Sequence, residues 1–305
     1  MALAIIFAVL AAAGNALGTV LQRRAVLNVP DARAQGLLLV RDLLRNPAWL
    51  TGILGVVFAA LFQALALRSG SLATVQPIFV LELPLALLIG SAVFRIRMSR
   101  RAWAGVACIF VGLAVGLFAA APSGGRSQVP GMWWIPALAV VGTVATALVL
   151  TGLRRPHGPT RAACLAAAAA VGNALTAAPV KSAMDVMSHE GATGFFLAWQ
   201  TYAFAVAGSS SILLLGYAMQ GGPLIASQPA LTLGDAAVGF CLGGTLYAEA
   251  PRLGLWLVPA LLGAALVFYG VFALSRTRCL ARCTAAGTDG EARSPRREGR
   301  ATAAM

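Results

Sequence analysis

The sequence predicts an all-α, polytopic membrane helical bundle of about nine transmembrane helices built from two inverted repeats. Composition, the spacing of the apolar runs and an internal repeat each point there. Of the 305 residues, 59% are hydrophobic and only 11% charged, with a mean hydropathy of +0.81. A soluble domain carries about 25% charged residues, so this chain has too few to cover a water-facing surface. A soluble enzyme and a free nucleic-acid binder are thereby excluded. The net charge of +13 and pI of about 11.1 would suggest nucleic acid in a soluble protein. In a membrane protein, basic residues collect in the cytoplasmic loops. The expected partner is therefore a lipid bilayer, and no nucleic acid.

Nine apolar stretches are long enough to cross, since a crossing helix needs roughly 20 apolar residues. They run over about 2–21, 48–67, 72–94, 102–121, 132–152, 162–182, 195–217, 223–246 and 252–275. None alternates like a barrel strand. Turn chemistry separates them, as at Asn46-Pro47, Arg68-Ser69-Gly70, Pro156-His157-Gly158-Pro159 and Ala250-Pro251. Residues 33–46 carry four charged residues, three of them within 41–45, and read as an amphipathic helix lying on the cytoplasmic interface. The first run lacks the positive n-region of a signal peptide and reads as a retained helix.

Orientation follows from the basic residues. If the N-terminus is outside, 19 of the 23 Lys and Arg residues fall in cytoplasmic segments and only Arg68, Arg126, Lys181 and Arg252 fall outside. This asymmetry predicts a multi-pass protein of the cell (inner or plasma) membrane, N-terminus outside and C-terminus cytoplasmic, with an odd helix count. Residues 276–305 lack apolar period and read as a disordered basic tail. The five cysteines form no disulfide framework, and Cys279 and Cys283 lack the further ligands a metal site needs.

The tetrapeptide Gly-Asn-Ala-Leu occurs at 14–17 and again at 172–175, each time with a basic residue (Arg23, Lys181) eight positions past the Asn. The segment 66–77 resembles 218–229, with Ala, Gly, Leu, Gln and Pro matching at a constant shift of 152 positions. The expected organisation is a first repeat over 1–121, with a cytoplasmic interfacial segment at 22–47, a linker over 122–160 holding the fifth span, and a second repeat over 161–275. One odd span between the halves inverts the second relative to the first. Inverted repeats are the architecture of secondary transporters, with a site at the repeat interface.

Two acidic residues lie deep within spans, Glu82 in the third and Asp235 in the eighth. The repeat shift carries Glu82 to position 234, next to Asp235. Insertion of Asp at a helix centre costs about 2.5–3.5 kcal/mol, so such residues mark ion sites or proton relays by default. The alternative is a protonated carboxyl serving as packing glue. Asn15, Thr19 and Gln22 share one helical face; Gln228, Thr232 and Asp235 share another. Gln63 and Asn173 add further polar groups. In hydrocarbon these groups must face partners or water, as interhelical hydrogen bonds or as a cavity lining. Pro77 and Pro229 occupy equivalent positions, and Pro179 interrupts the sixth span; together they are candidate helix breaks. Glu82 and Asp235 are also the candidate metal ligands. Enzyme signatures such as H-E-x-x-H or G-x-S-x-G are absent from the sequence.

The chain resembles the drug/metabolite transporter (EamA-like) superfamily, and within it the NIPA-like magnesium transporter branch. The resemblance rests on the first span ending Gly18-Thr19-Val20-Leu21-Gln22-Arg23-Arg24-Ala25, on Trp49 through Gly52, on Gln63 to Leu67 followed by small residues and Pro77, and on the Gly172-Asn173 to Lys181 pattern. It implies two inverted repeats around a central site, alternating access and a magnesium substrate. Most superfamily members have ten spans. The acidic residue that commonly ends a helix before a short basic loop is replaced by Phe94-Arg95 after the third span, and Glu249 partly restores it in the second half. The expectation is therefore a non-enzymatic transporter of a small metabolite or drug, with Mg2+ transport and a non-transporting scaffold as alternatives. It needs no cofactor, but proton coupling or a cation substrate fits the carboxylates.

Overall fold

A computed structural model describes residues 2–27, 46–95, 97–122, 124–126, 128–221, 224–252 and 254–277. The interfacial segment expected at 33–46 lies outside the described residues except for Asn46, as does the tail beyond Thr277 with Cys279 and Cys283. The described chain is helical throughout, and nine of its helical runs are long and apolar enough to cross a membrane.

The helices are α1 (Ala2–Leu27), α2 (Pro47–Ser69), a third span in two pieces, α3a (Leu72–Ile78) and α3b (Glu82–Val93), α4 (Arg100–Ala120), α5 (Gly131–Leu153), α6 (Pro159–Leu197), α7 (Trp199–Gly221), α8 (Leu224–Leu246) and α9 (Leu257–Ser275). Their starts follow from local chemistry. Asn46 caps α2 by accepting from the Ala48 amide at 3.0 Å, with Pro47 in the first turn. Proline there loses no hydrogen bond, because that amide has no intrahelical partner. Ser99 caps α4 by accepting from the Ala102 amide at 3.2 Å.

Three helices depart from the expected boundaries. The third span is interrupted by a 3-10 turn at Phe79–Leu81, just after Pro77. Pro84, one turn further on, has no amide to give the Val80 carbonyl and crowds it, so the chain tightens over Phe79–Leu81 before α3b begins at Glu82. Span six is far longer than the 162–182 read from hydropathy: α6 covers 39 residues, with a non-helical break at Gly191 (φ 73°, ψ −166°). At 1.5 Å per residue this is about 58 Å, well beyond the roughly 30 Å apolar core of a bilayer. In consequence α7 starts at Trp199 rather than 195. Pro77, Pro179 and Pro229, expected as breaks, all sit inside helices. Surrounding helices and small local adjustments absorb one missing hydrogen bond in a membrane helix.

Packing is pairwise and antiparallel. Helix α1 lies along α2 with Gly14 facing Gly55 and Gly18 facing Gly52. A parallel logic pairs α6 with α7, where Gly172 meets Ser211. Helix α4 packs on α9, and a Cβ at Gly112 would come within 2.7 Å of the Gly263 carbonyl oxygen. Only glycine permits that approach. Across the middle, α8 packs on both α3a and α6, and α1 packs on α3b. Side chains such as Leu72, Val75, Ile78 and Leu87 form the core here with Ala174 and Ala177. Helix α5 is peripheral and exposes Met132, Ile135 and Val140. Apolar exposure of this kind belongs against lipid rather than water.

Candidate functional site

The packing leaves a cavity of about 430 Å³ between α1, α2, the two pieces of the third span, α6, α7 and α8. Glu82 and Asp235 both open into it. Glu82 is placed by the end of the 3-10 turn, being the first residue of α3b. The Asn15 amide donates to its Oε2 at 3.1 Å, joining α1 to α3b. Asp235 comes from α8, and its buried Oδ1 has no hydrogen-bond partner among the described residues.

Most of the polar residues singled out in the sequence share this cavity: Asn15, Thr19, Gln63, Asn173, Gln228 and Thr232 all line it. Ser211 of α7 donates to Asn173 Oδ1 at 2.7 Å and steadies that amide. Gln22 is not among the lining residues. It packs along Gly52 towards the C-terminal end of α1, on the side of that helix that meets α2. Pro77 sits beside the cavity, between the lining residues Gln76 and Phe79. Sequence reasoning passed over Gln76, whose side chain is almost wholly buried. The signal was present, since Gln76-Pro77 repeats Gln228-Pro229. Nothing in the sequence pattern pointed to Phe79 or Phe94, which also face the space.

Among the described residues, no Lys, Arg or His lines the cavity. Chemically it offers two carboxylates, several amides and hydroxyls, and apolar walls from Leu83, Leu87 and Leu231. As for a metal, no group of three or more His, Cys, Asp or Glu side chains gathers among the described residues. Two carboxylates with room for water suit a hydrated divalent cation, which keeps several of its waters, better than a fully protein-ligated ion.

The cavity runs from Gln76 to Phe94 along the third span, towards the end of the bundle that carries Arg95, Arg97, Arg100 and Arg101. At the opposite end the helices close on one another. Glu249, just beyond α8, is buried; it accepts from the Leu72 amide at 2.8 Å and the Ala73 amide at 2.7 Å, capping α3a. Lys181 of α6 forms an ion pair with the same carboxylate. The Lys181 ammonium also lies 4.5 Å from the centre of the Tyr247 ring. Tyr247, fully buried, donates to the Ala178 carbonyl at 2.5 Å and meets Ser182 Oγ at 2.7 Å. Burial pushes its phenol above the ordinary value, so the hydroxyl stays a donor at neutral pH. Backbone bonds from Arg126 to Tyr247 (2.9 Å) and from Arg252 to Ala120 (2.8 Å) tie the neighbouring loops together.

Fold and site together define an integral membrane protein of polytopic all-helical class with a carboxylate-bearing cavity in its interior. A protein of Corynebacterium glutamicum, named only as uncharacterized, is 30% identical over 284 residues, which is 90% of this chain and 95% of the relative. The chain belongs to the same family as that protein. No protein-family model and no solved structure matches the chain.

Proposed function

We propose that this chain is a secondary transporter that moves a small metabolite or drug across the cell membrane by alternating access. The observation that carries the reading is the cavity itself. It holds Glu82 and Asp235, draws its lining from both halves of the chain, extends towards one end of the bundle and is shut at the other. A stable scaffold gains nothing from an unpartnered Asp235 oxygen in its interior, because such a group costs free energy unless a ligand or proton meets it.

The helix pairings support the inverted-repeat organisation. Span one lies on spans two and three as span six lies on spans seven and eight, while the third meets the eighth and the fourth meets the ninth. That is the pairing expected when two alike units meet about a pseudo-two-fold axis. The charge rule supports N-outside and C-inside, which makes the Arg100 end cytoplasmic and the Glu249 end external. The cavity then faces inward. Transport by this route needs no cofactor and no catalytic residue.

A second reading, transport of Mg2+, is favoured by the two carboxylates, Glu82 and Asp235, that share the lining. The two are separated with the purified protein in liposomes, by flux of Mg2+ alone against flux of organic solutes down a proton gradient. Uptake of Mg2+ without any organic solute supports the second reading. Glu82→Gln and Asp235→Asn should each reduce flux at least tenfold with the thermal unfolding profile retained. If both variants transport as well as the parent, the carboxylates are packing elements and the reading fails.

A further inference from the structure

The Lys181–Glu249 cluster lies outside the cavity and has no part in holding a solute there. Resting on the transporter reading, we infer that it is the external gate, and that its opening is the step that admits or releases solute on that side.

Four observations carry this. First, position: Lys181 sits five residues beyond the cavity-lining Thr176 on α6, and Glu249 lies just past the end of α8. Second, a separate hollow of about 370 Å³ lies beyond the pair, lined by Arg68, Ser71, Arg126, Asp185 and Ser188 with Lys181 and Glu249 themselves. The pair thus belongs to the wall of an outer vestibule and stands between it and the inner cavity. Third, Glu249 bonds three elements at once: the α6 ammonium and two amides of α3a, from its own place after α8. One carboxylate therefore clamps a piece of the first half to the second. Fourth, the contact beneath it is too tight for solute. A Cβ at Gly243 would fall 2.7 Å from the Ala73 nitrogen, and one at Gly239 would fall 2.5 Å from Gln76.

The clamp is suited to release. Its bonds are polar and water can replace each of them, so opening exchanges protein contacts for solvent contacts at modest net cost. The piece it holds, α3a, is seven residues long and joins α3b through the three-residue 3-10 turn, the one change of helix type along the third span. It can swing without unwinding the helix that carries Glu82. Lys181 and Glu249 are positioning residues that act through α3a and touch no substrate.

The experiment uses the full chain, with its five cysteines replaced by serine and a reporter thiol at Thr176→Cys, expressed in cells. A membrane-impermeant maleimide is added from outside. Labelling should be slow in the parent and at least tenfold faster in Lys181→Met, which leaves the Glu249 cap in place, and in Glu249→Gln. Unchanged external labelling in variants that still label from the cytoplasmic side of opened vesicles overturns the gate. Should both variants fail to reach the membrane, Glu249→Asp carries the test. It keeps the charge but is one carbon shorter, so it cannot hold Lys181 and both α3a amides together, and it should raise external labelling several-fold; no rise overturns the gate. Because labelling needs no solute, the two ideas fail separately. Faster labelling with no solute flux in the parent leaves the gate standing and sinks the transporter. Flux in the parent with labelling unmoved in the variants does the reverse.

Discussion

At Asn15 a single amide does two jobs, donating to Glu82 and forming part of the cavity wall. Hydrogen bonds to charged groups contribute about 1.5–3 kcal/mol, and loss of this one leaves the Glu82 carboxylate poorly solvated. Asn15→Ala should therefore lower stability by about 1–3 kcal/mol, read from thermal unfolding in detergent, whereas Asn15→Asp should be worse because it adds a third negative group. The carboxylates themselves were legible in the sequence, since an acid within an apolar run stands out by composition alone. The Lys181–Glu249 pair was not. Its members are 68 residues apart, and only the packing of α6 against α8 and α3a brings them together. Lys181 is the sole lysine of the chain and closes an apolar run, which was the one available signal that it had a partner. Gln22 misled for a similar reason. A helical face fixes direction about its own axis but not which neighbour the face meets.

Among the elements, the division of the third span matters most. Hydropathy shows one apolar stretch from 72 to 94, and proline content alone does not say which prolines interrupt a helix. Pro84 stands one turn after the 3-10 turn, whereas Pro77, Pro179 and Pro229 each lie within a helix. Pro84→Ala restores an amide that can bond the Val80 carbonyl and should favour an unbroken span. The expected outcome is unchanged or higher thermal stability with flux reduced several-fold, measured on the same liposome preparation. The α4–α9 seam tests packing alone. Gly112→Val places atoms where the Gly263 backbone already lies. Forcing extra carbons into a close-packed contact costs typically 1–3 kcal/mol. A backbone-to-backbone clash belongs at the upper end of that range or above it, as measured by loss of the folded fraction in a denaturant titration. Length was the other property that hydropathy missed. Residues 183–190 of α6 are more polar than a membrane segment, yet they continue the helix to Gly191 because no earlier residue breaks it.

For the whole molecule, the nine apolar helices were readable because each crossing must satisfy its backbone internally, which makes length and apolarity nearly sufficient. Their arrangement was readable only in outline. The repeat told which spans are alike, and the antiparallel pairs α1–α2 and α6–α7 are consistent with it. It did not tell which end would be shut. The proposed topology makes a direct prediction. In intact cells with cysteine-free protein, Ser69→Cys should react with an impermeant thiol reagent added outside, and Arg101→Cys should react only after the membrane is opened. Both positions are exposed. The reverse pattern would turn the molecule over and make the shut end cytoplasmic.

Glu249 and Lys181 both belong to the second half of the chain, while α3a, which they hold, belongs to the first. On the proposed inverted-repeat organisation the two halves are alike in outline, and this clamp makes them unequal in fastening. A carrier whose two poses were fastened alike would divide its time evenly between them. Each 1.4 kcal/mol of difference is a factor of ten in occupancy, so one asymmetric latch is enough to give the empty protein a preferred side to wait on. Solute arriving from the other side then has to meet a rare pose first, and uptake from the two directions differs in apparent affinity although both use one site.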